Sequence, residues 1–198
     1  DRCRATSKNK KTLQPYLNQI KLIHIDLSNH KEMEKLEGEF DAAIHLAAVI
    51  PPLADEQPEL THKVNFTGTK NLIERLEIIS PDCFFMFSSS IAVYGDRLNT
   101  PDISVKDSLP EHEEDIYTQT KLETEPIIMN SKLEWTIFRL TAIMGVKNHK
   151  MTGLMFHMPL STPMEICMPE DTARAFTNGI EKRACLLYTS DAADDSLR

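Results

Sequence analysis

Several signals are missing from this sequence, and each absence narrows the field. No apolar run approaches the ~20 residues that span a bilayer, so no membrane partner is expected. The opening "DRCRATSKNKK" is basic and polar and lacks the apolar centre of a secretory signal, which points away from export. The four cysteines, Cys3, Cys83, Cys167 and Cys185, form no Cys-x-x-Cys pair. With Cys83 inside the apolar run "CFFMF" and read as core, a reducing, cytoplasmic setting is expected. None of the seven histidines pairs at i, i+4, so no metal site is expected. There is no internal repeat or low-complexity tract. A net charge of −8, from 22 basic and 30 acidic residues, argues against nucleic acid unless a basic patch is segregated. Positive charge does gather at Arg2, Arg4, Lys8, Lys10 and Lys11. It reads either as a solvated loop or as a contact to phosphate.

What is present fits one soluble core. The 198 residues, 41% apolar and 26% charged, suffice for one domain and are too few for two large ones. Apolar runs at 20–27 ("IKLIHIDL"), 40–48 ("FDAAIHLAA"), 83–87 ("CFFMF") and 135–140 ("WTIFRL") read as strands. Helical spacing appears at 31–39 and 59–79, then at 115–130 and 170–182. Pro126 is expected to kink the third of these or open a turn. Strands that are almost continuously apolar and alternate with helices predict an α/β fold: a parallel sheet covered on both faces. Ligands of such sheets bind beyond the carboxyl ends of the strands.

One of those ends, and the helix start that follows it, carry chemistry. In "FSSSIAVYGD", three serines close an apolar strand, either to begin a turn or to offer a hydroxyl to a substrate oxygen. In "DIYTQTK", Tyr117 and Lys121 are four residues apart and share one face of a helix. That is either an ordinary first turn or a proton-transfer pair. A free phenol, with a pKa of ~10, is a poor base at neutral pH. A neighbouring ammonium favours the phenolate, and a tuned tyrosine can exchange a proton with a carbinol or carbonyl. A serine hydroxyl on the same oxygen would steady its charge. Tyr117 follows Ser90 by 27 residues, room for a loop and a helix start.

Taken in order, "HLAAVIPP", "VNFTGTKNLIE", "FSSSIAVYGD", "YTQTK" and "FRLTAIMG" resemble the extended short-chain dehydrogenase/reductases, the NAD-dependent epimerase/dehydratase family, over about residues 20–182. The resemblance implies a Rossmann-like domain binding NAD or NADP and a catalytic set of Ser90, Tyr117 and Lys121. In that set Tyr117 is the acid/base, and Lys121 lowers its pKa and binds the nicotinamide ribose. It further implies that Asp26 and Leu27 contact the adenine, and that Leu46, Ala47 and Ala48 run along the cofactor. Asn65 would support the site. Ser88 and Ser89 would lie beside the nicotinamide, and Thr141 and Ala142 near its carboxamide. Asp171, in "MPEDTARAF", matches an architectural acid. The implied substrate is a nucleotide sugar, and the implied assembly a homodimer through helices like 59–79 and 115–130. A reductase of small carbonyl compounds and a non-catalytic NAD(P)-binding sensor or scaffold are the alternatives.

The sequence also departs from the family pattern. The family's Gly-x-x-Gly-x-x-Gly turn, which holds the pyrophosphate, is not among these residues. The residue that would separate NAD from NADP falls near Asp1 or Arg2. Residues 147–169 are short for a substrate lobe. "CLLYTSDAADDSLR" closes the sequence, and its stretch Cys185–Asp194 resembles one reading frame of a transposon-end sequencing adapter. The expectation is therefore a domain over 1–184, truncated at both ends, with a lobe remnant at 147–169 and a non-native tail at 185–198. A genuine acidic tail is the alternative.

Overall fold

The computed structural model describes residues 13–97, 99–100, 102–145, 165–183 and 187–189. The basic cluster at Arg2 to Lys11, the Asp1/Arg2 position and most of the 147–169 segment lie outside them. Strands β1 (Ala42–His45), β2 (Phe84–Ser90) and β3 (Glu134–Leu140) form the sheet predicted from the apolar runs. Short strands β4 (Ala142–Ile143) and β5 (Ile166–Cys167) pair with each other. Strand β6 (Leu187–Thr189) pairs parallel with β3. The main sheet runs β1-β2-β3-β6, all parallel. Its register sets His45 beside Phe87 and Ser90 beside Leu140, so the C-terminal strand ends come together.

The chain crosses between strands through helices. Leu53–Glu56 (α1) and Pro58–His62 (α2) lead through a π turn at Lys63–Thr67 into Gly68–Ile79 (α3). Ile116–Met129 is α4 and Pro169–Lys182 is α5. Alternate residues of the strands point to opposite faces, and the core divides accordingly. Phe85, Phe87 and Ile137 pack with Ile73, Leu76 and Ile128 beneath α3 and α4. Phe84, Met86 and Phe138 pack against Phe176 of α5. A side chain at Gly179 would meet the Met86 sulfur at 2.9 Å, so glycine lets α5 settle on the sheet. This is the expected α/β, Rossmann-like architecture. No described helix is long and apolar enough to cross a membrane.

Four details differ from the sequence reading. Residues 20–27 join neither sheet. Their apolar side chains Ile25 and Leu27 are buried with Met33, but a strand needs a neighbour to pair with, and none among the described residues lies beside them. The 31–39 helix is a shorter 3-10 turn at His30–Lys35, capped by Asn29. Helix α4 continues through Pro126. No turn opens there, and the missing N–H of Pro126 leaves the Leu122 carbonyl without its i+4 donor. Residues 187–189, set aside above with the tail, supply the edge strand β6. The outer edge of β3 has backbone donors and acceptors to satisfy, and the Leu-Tyr-Thr run suits that edge.

Candidate active site

Ser90 is the last residue of β2, and its hydroxyl caps the 3-10 turn Ile91–Tyr94 by accepting from the Ala92 N–H at 3.2 Å. Tyr117 stands in the first turn of α4. Asp115 fixes that turn: its carboxylate accepts from the N–H groups of Tyr117 (3.2 Å) and Thr118 (2.9 Å) and from the Thr118 hydroxyl. Ser90 pulls the pKa of the Tyr117 phenol downward, which favours the phenolate. Lys121, one turn on, is 4% exposed. Its ammonium donates to the Ser88 carbonyl at 2.6 Å and sits 4.5 Å from the Phe87 ring centre and 5.6 Å from that of Tyr117. Strand end and helix start thus bring Ser88, Ser90, Tyr117 and Lys121 together.

The electrostatics correct one expectation. From the resemblance, Lys121 is expected to lower the pKa of Tyr117. In the structure burial raises the Tyr117 pKa, the Ser90 hydrogen bond opposes that rise, and the charge of Asp115 adds to it. The lysine bears its own burial cost: its pKa falls to about 8, against a smaller upward pull from Glu125.

Asn65 occupies the π turn between α2 and α3. π turns often mark functional places in helices, and here the turn aims a buried amide at two elements. Its Oδ1 accepts from the Val49 N–H (2.7 Å), and its Nδ2 donates to the Val49 carbonyl (3.0 Å) and to Thr120 Oγ1 (3.1 Å). Thr120 in turn donates to the Tyr117 carbonyl at 2.8 Å. Asn65 therefore joins the loop after β1 to the helix of Tyr117. Behind it, Thr69 donates to the Asn65 carbonyl at 2.5 Å and pairs with His45 Nε2 at 2.8 Å. With its one proton so used, Thr69 must accept from Nε2–H. His45 is neutral, burial having pushed its pKa down to about 3.

The remaining candidates are spread more widely. Ala47 and Ala48 are half-buried and Leu46 exposed just after β1. Leu27 is buried, with its carbonyl held by Asn71 at 2.8 Å. The Asp26 carboxylate accepts from the N–H (3.2 Å) and hydroxyl (2.7 Å) of Ser28. Ala142 is exposed on β4, while the Thr141 hydroxyl is committed to the Glu165 carbonyl at 2.8 Å. Ser89 faces away from its neighbours in the run, and its hydroxyl is committed to Glu125 Oε1 at 2.6 Å. Asp171 pairs with Arg174 on the surface of α5.

Thr69, Thr120, Glu125 and Arg139 are not among the residues expected from the sequence. The last two had a visible signal. Arg139 interrupts the apolar run "WTIFRL", and Glu125 follows Lys121 by one helical turn on the same face. Among the described residues no group of acids, histidines and cysteines could hold a metal.

The parallel sheet flanked by helices defines a Rossmann-like domain, with Ser90, Tyr117 and Lys121 at the strand end and helix start described above. The NAD dependent epimerase/dehydratase family matches residues 2–186, and the chain belongs to that family. A D-erythronate dehydrogenase of Haemophilus influenzae is 38% identical over 65 residues, 33% of this chain and 21% of that protein. UDP-glucose 4-epimerase 2 of Oryza sativa subsp. japonica is 31% identical over 146 residues, 70% of this chain and 34% of that protein. The structure of RMD from Pseudomonas aeruginosa complexed with NADPH superposes with a TM-score of 0.69 at 20% identity, covering 90% of this chain and 71% of that one. That likeness is one of fold. The chain spans about half or less of the curated relatives it matches.

Proposed function

We propose that the whole protein is an NAD(P)-dependent oxidoreductase of the epimerase/dehydratase type acting on a nucleotide sugar, with Ser90, Tyr117 and Lys121 as its catalytic residues. The observation that supports this reading is the Lys121 ammonium, 5.6 Å from the Tyr117 ring centre and bonded to the Ser88 carbonyl on the strand that ends in Ser90. The residues present fit a nicotinamide dinucleotide. Ala47 and Ala48 leave room along the β1 end, and Lys121 offers a cation where ribose hydroxyls would lie. Asp26 and Leu27 are assigned to the adenine end, and the backbone around Ser88, Ser89, Thr141 and Ala142 to the nicotinamide end. Bound, the cofactor supplies hydride acceptance and return.

The chain's own groups handle the proton. The Tyr117 phenol takes it from, or returns it to, the substrate oxygen. The Ser90 hydroxyl donates to that same oxygen as charge develops. Lys121 keeps a positive charge within one helical turn, and Asn65, through Thr120, fixes the backbone from which Tyr117 projects.

The domain assigned to this site is residues 1–184, in a cytoplasmic protein, with 185–198 a non-native tail. Pairing of two copies through α3 and α4 belongs to the same reading. Supporting it, a groove between the two helices is lined by Lys70, Ile73, Glu74, Glu77, Pro126 and Ile127.

The D-erythronate dehydrogenase relatives favour a second reading, in which the substrate is a small hydroxy acid and the reaction a net oxidation or reduction. The two separate on one assay. With cofactor and UDP-sugars, the first reading expects an isomerised or dehydrated sugar without net cofactor reduction. Net reduction with small hydroxy acids, and none of the sugar products, would replace it with the second.

A further inference from the structure

Among the described residues, Glu125 and Arg139 form a buried ion pair that the proposed chemistry does not use. Glu125 and Arg139 are 1% and 3% exposed. Arg139 Nε donates to Glu125 Oε1 and Oε2 at 3.1 and 3.2 Å, and Nη2 donates to Oε2 at 2.6 Å. The Ser89 hydroxyl donates to Oε1 at 2.6 Å. On its other side the guanidinium donates from Nη1 to the Tyr94 hydroxyl at 2.9 Å and stands 4.8 Å from that ring's centre.

A buried pair of this kind has little claim as a stabiliser, because desolvation offsets the attraction and apolar residues of like size often do as well. What a planar guanidinium and a carboxylate supply is fixed geometry. The elements that this pair joins are informative. Ser89 immediately precedes Ser90, and Tyr94 ends the turn that the Ser90 side chain caps. Glu125 lies one turn beyond Lys121 on α4, and Arg139 is on the neighbouring strand β3.

We propose that the Glu125–Arg139 pair is a positioning device for Ser90, clamping the strand end on both sides of that serine and tying it to the helix that carries Tyr117 and Lys121. The proposal rests on the assignment of Ser90, Tyr117 and Lys121 made above. Glu125 and Arg139 touch no reacting atom in this role; they act through Ser89 and Tyr94. Asp115 acts on Tyr117 by charge and Lys121 stands 5.6 Å from its ring centre; Glu125 also pulls on Lys121 directly, and the Ser90→Ala background below separates that route from the one through Ser90.

The test reads the site without turnover. The phenolate absorbance of Tyr117 is titrated in the 198-residue chain as the difference between each protein and its Tyr117→Phe counterpart. Ser90→Ala raises the midpoint, since the hydrogen bond favouring the phenolate is gone, by about 0.5–1 pH unit. Glu125→Gln raises it in the same direction and adds nothing in the Ser90→Ala background. Tyr94→Phe keeps the ring and the ion pair, folds readily, and gives a smaller rise. If Glu125→Gln and Tyr94→Phe leave the midpoint at the wild-type value while lowering Tm, the pair is structural only and the proposal fails. If Glu125→Gln does not fold, an unmoved Tyr94→Phe midpoint alone overturns it. Equal shifts with and without Ser90 overturn it too, because the pair would then act by another route. An unmoved midpoint in Ser90→Ala removes the Ser90–Tyr117 contact itself, and the site assignment falls together with the proposal.

Discussion

The Lys121 ammonium donates to the Ser88 carbonyl at 2.6 Å, so the helix that carries Tyr117 is pinned to the strand that ends in Ser90. The contact needs Lys121 buried, and burial has a measurable consequence.

Lys121 titrates at about 8 in the fold against 10.5 for an ordinary lysine. The unfolded chain therefore binds the proton more tightly between those two values, and folding stability rises as pH climbs through that window. The full change corresponds to about 3 kcal/mol. Urea unfolding across pH 8 to 10.5 should show this rise in wild type and lose it in Lys121→Met. Below the window Lys121→Met gains from the missing buried charge, offset by an orphaned Ser88 carbonyl that costs about 1–3 kcal/mol. A slope that survives in Lys121→Met would assign it to other groups.

His45 gives the acid counterpart. Its pKa is depressed from 6.5 to about 3, so the unfolded chain takes up a proton that the native site refuses. The stability that neutral His45 contributes is present above pH 6.5 and is lost as pH falls from there toward 3. In His45→Gln the acid limb of the stability curve should be shallower, with the difference confined to that interval. Parallel acid limbs in the two proteins would contradict the burial.

Asn65→Leu removes the three hydrogen bonds to Val49 and Thr120 and leaves polar backbone at Val49 without its partner. The expected loss is about 3 kcal/mol in chemical denaturation. Asn65→Asp should restore the bond from the Val49 N–H but not the two donated bonds, and fall between. Wild-type stability in Asn65→Leu would mean that water replaces the amide.

Much of this was legible in the sequence because the controlling rules are local. Continuous apolar runs gave β1, β2 and β3, and the four-residue spacing placed Tyr117 and Lys121 on one face of α4. What escaped depends on partners distant in sequence. Residues 20–27 have the composition of a strand, yet pairing belongs to a neighbour and not to the run itself. The serine run shows which residue types end β2; only the alternation of the strand decides that Ser89 turns to Glu125 while Ser90 turns to Tyr117. The π turn that presents Asn65 leaves no mark in the helical periodicity of 59–79. The pKa of Tyr117 depends on how deeply the phenol is buried, which a motif does not record.

The central claim is that Tyr117 moves the proton. Turnover and cofactor affinity of Tyr117→Phe in the whole protein test it most directly. The account predicts that turnover falls by about 10²–10⁴-fold while cofactor affinity stays at the wild-type value. Turnover undiminished in Tyr117→Phe would contradict it.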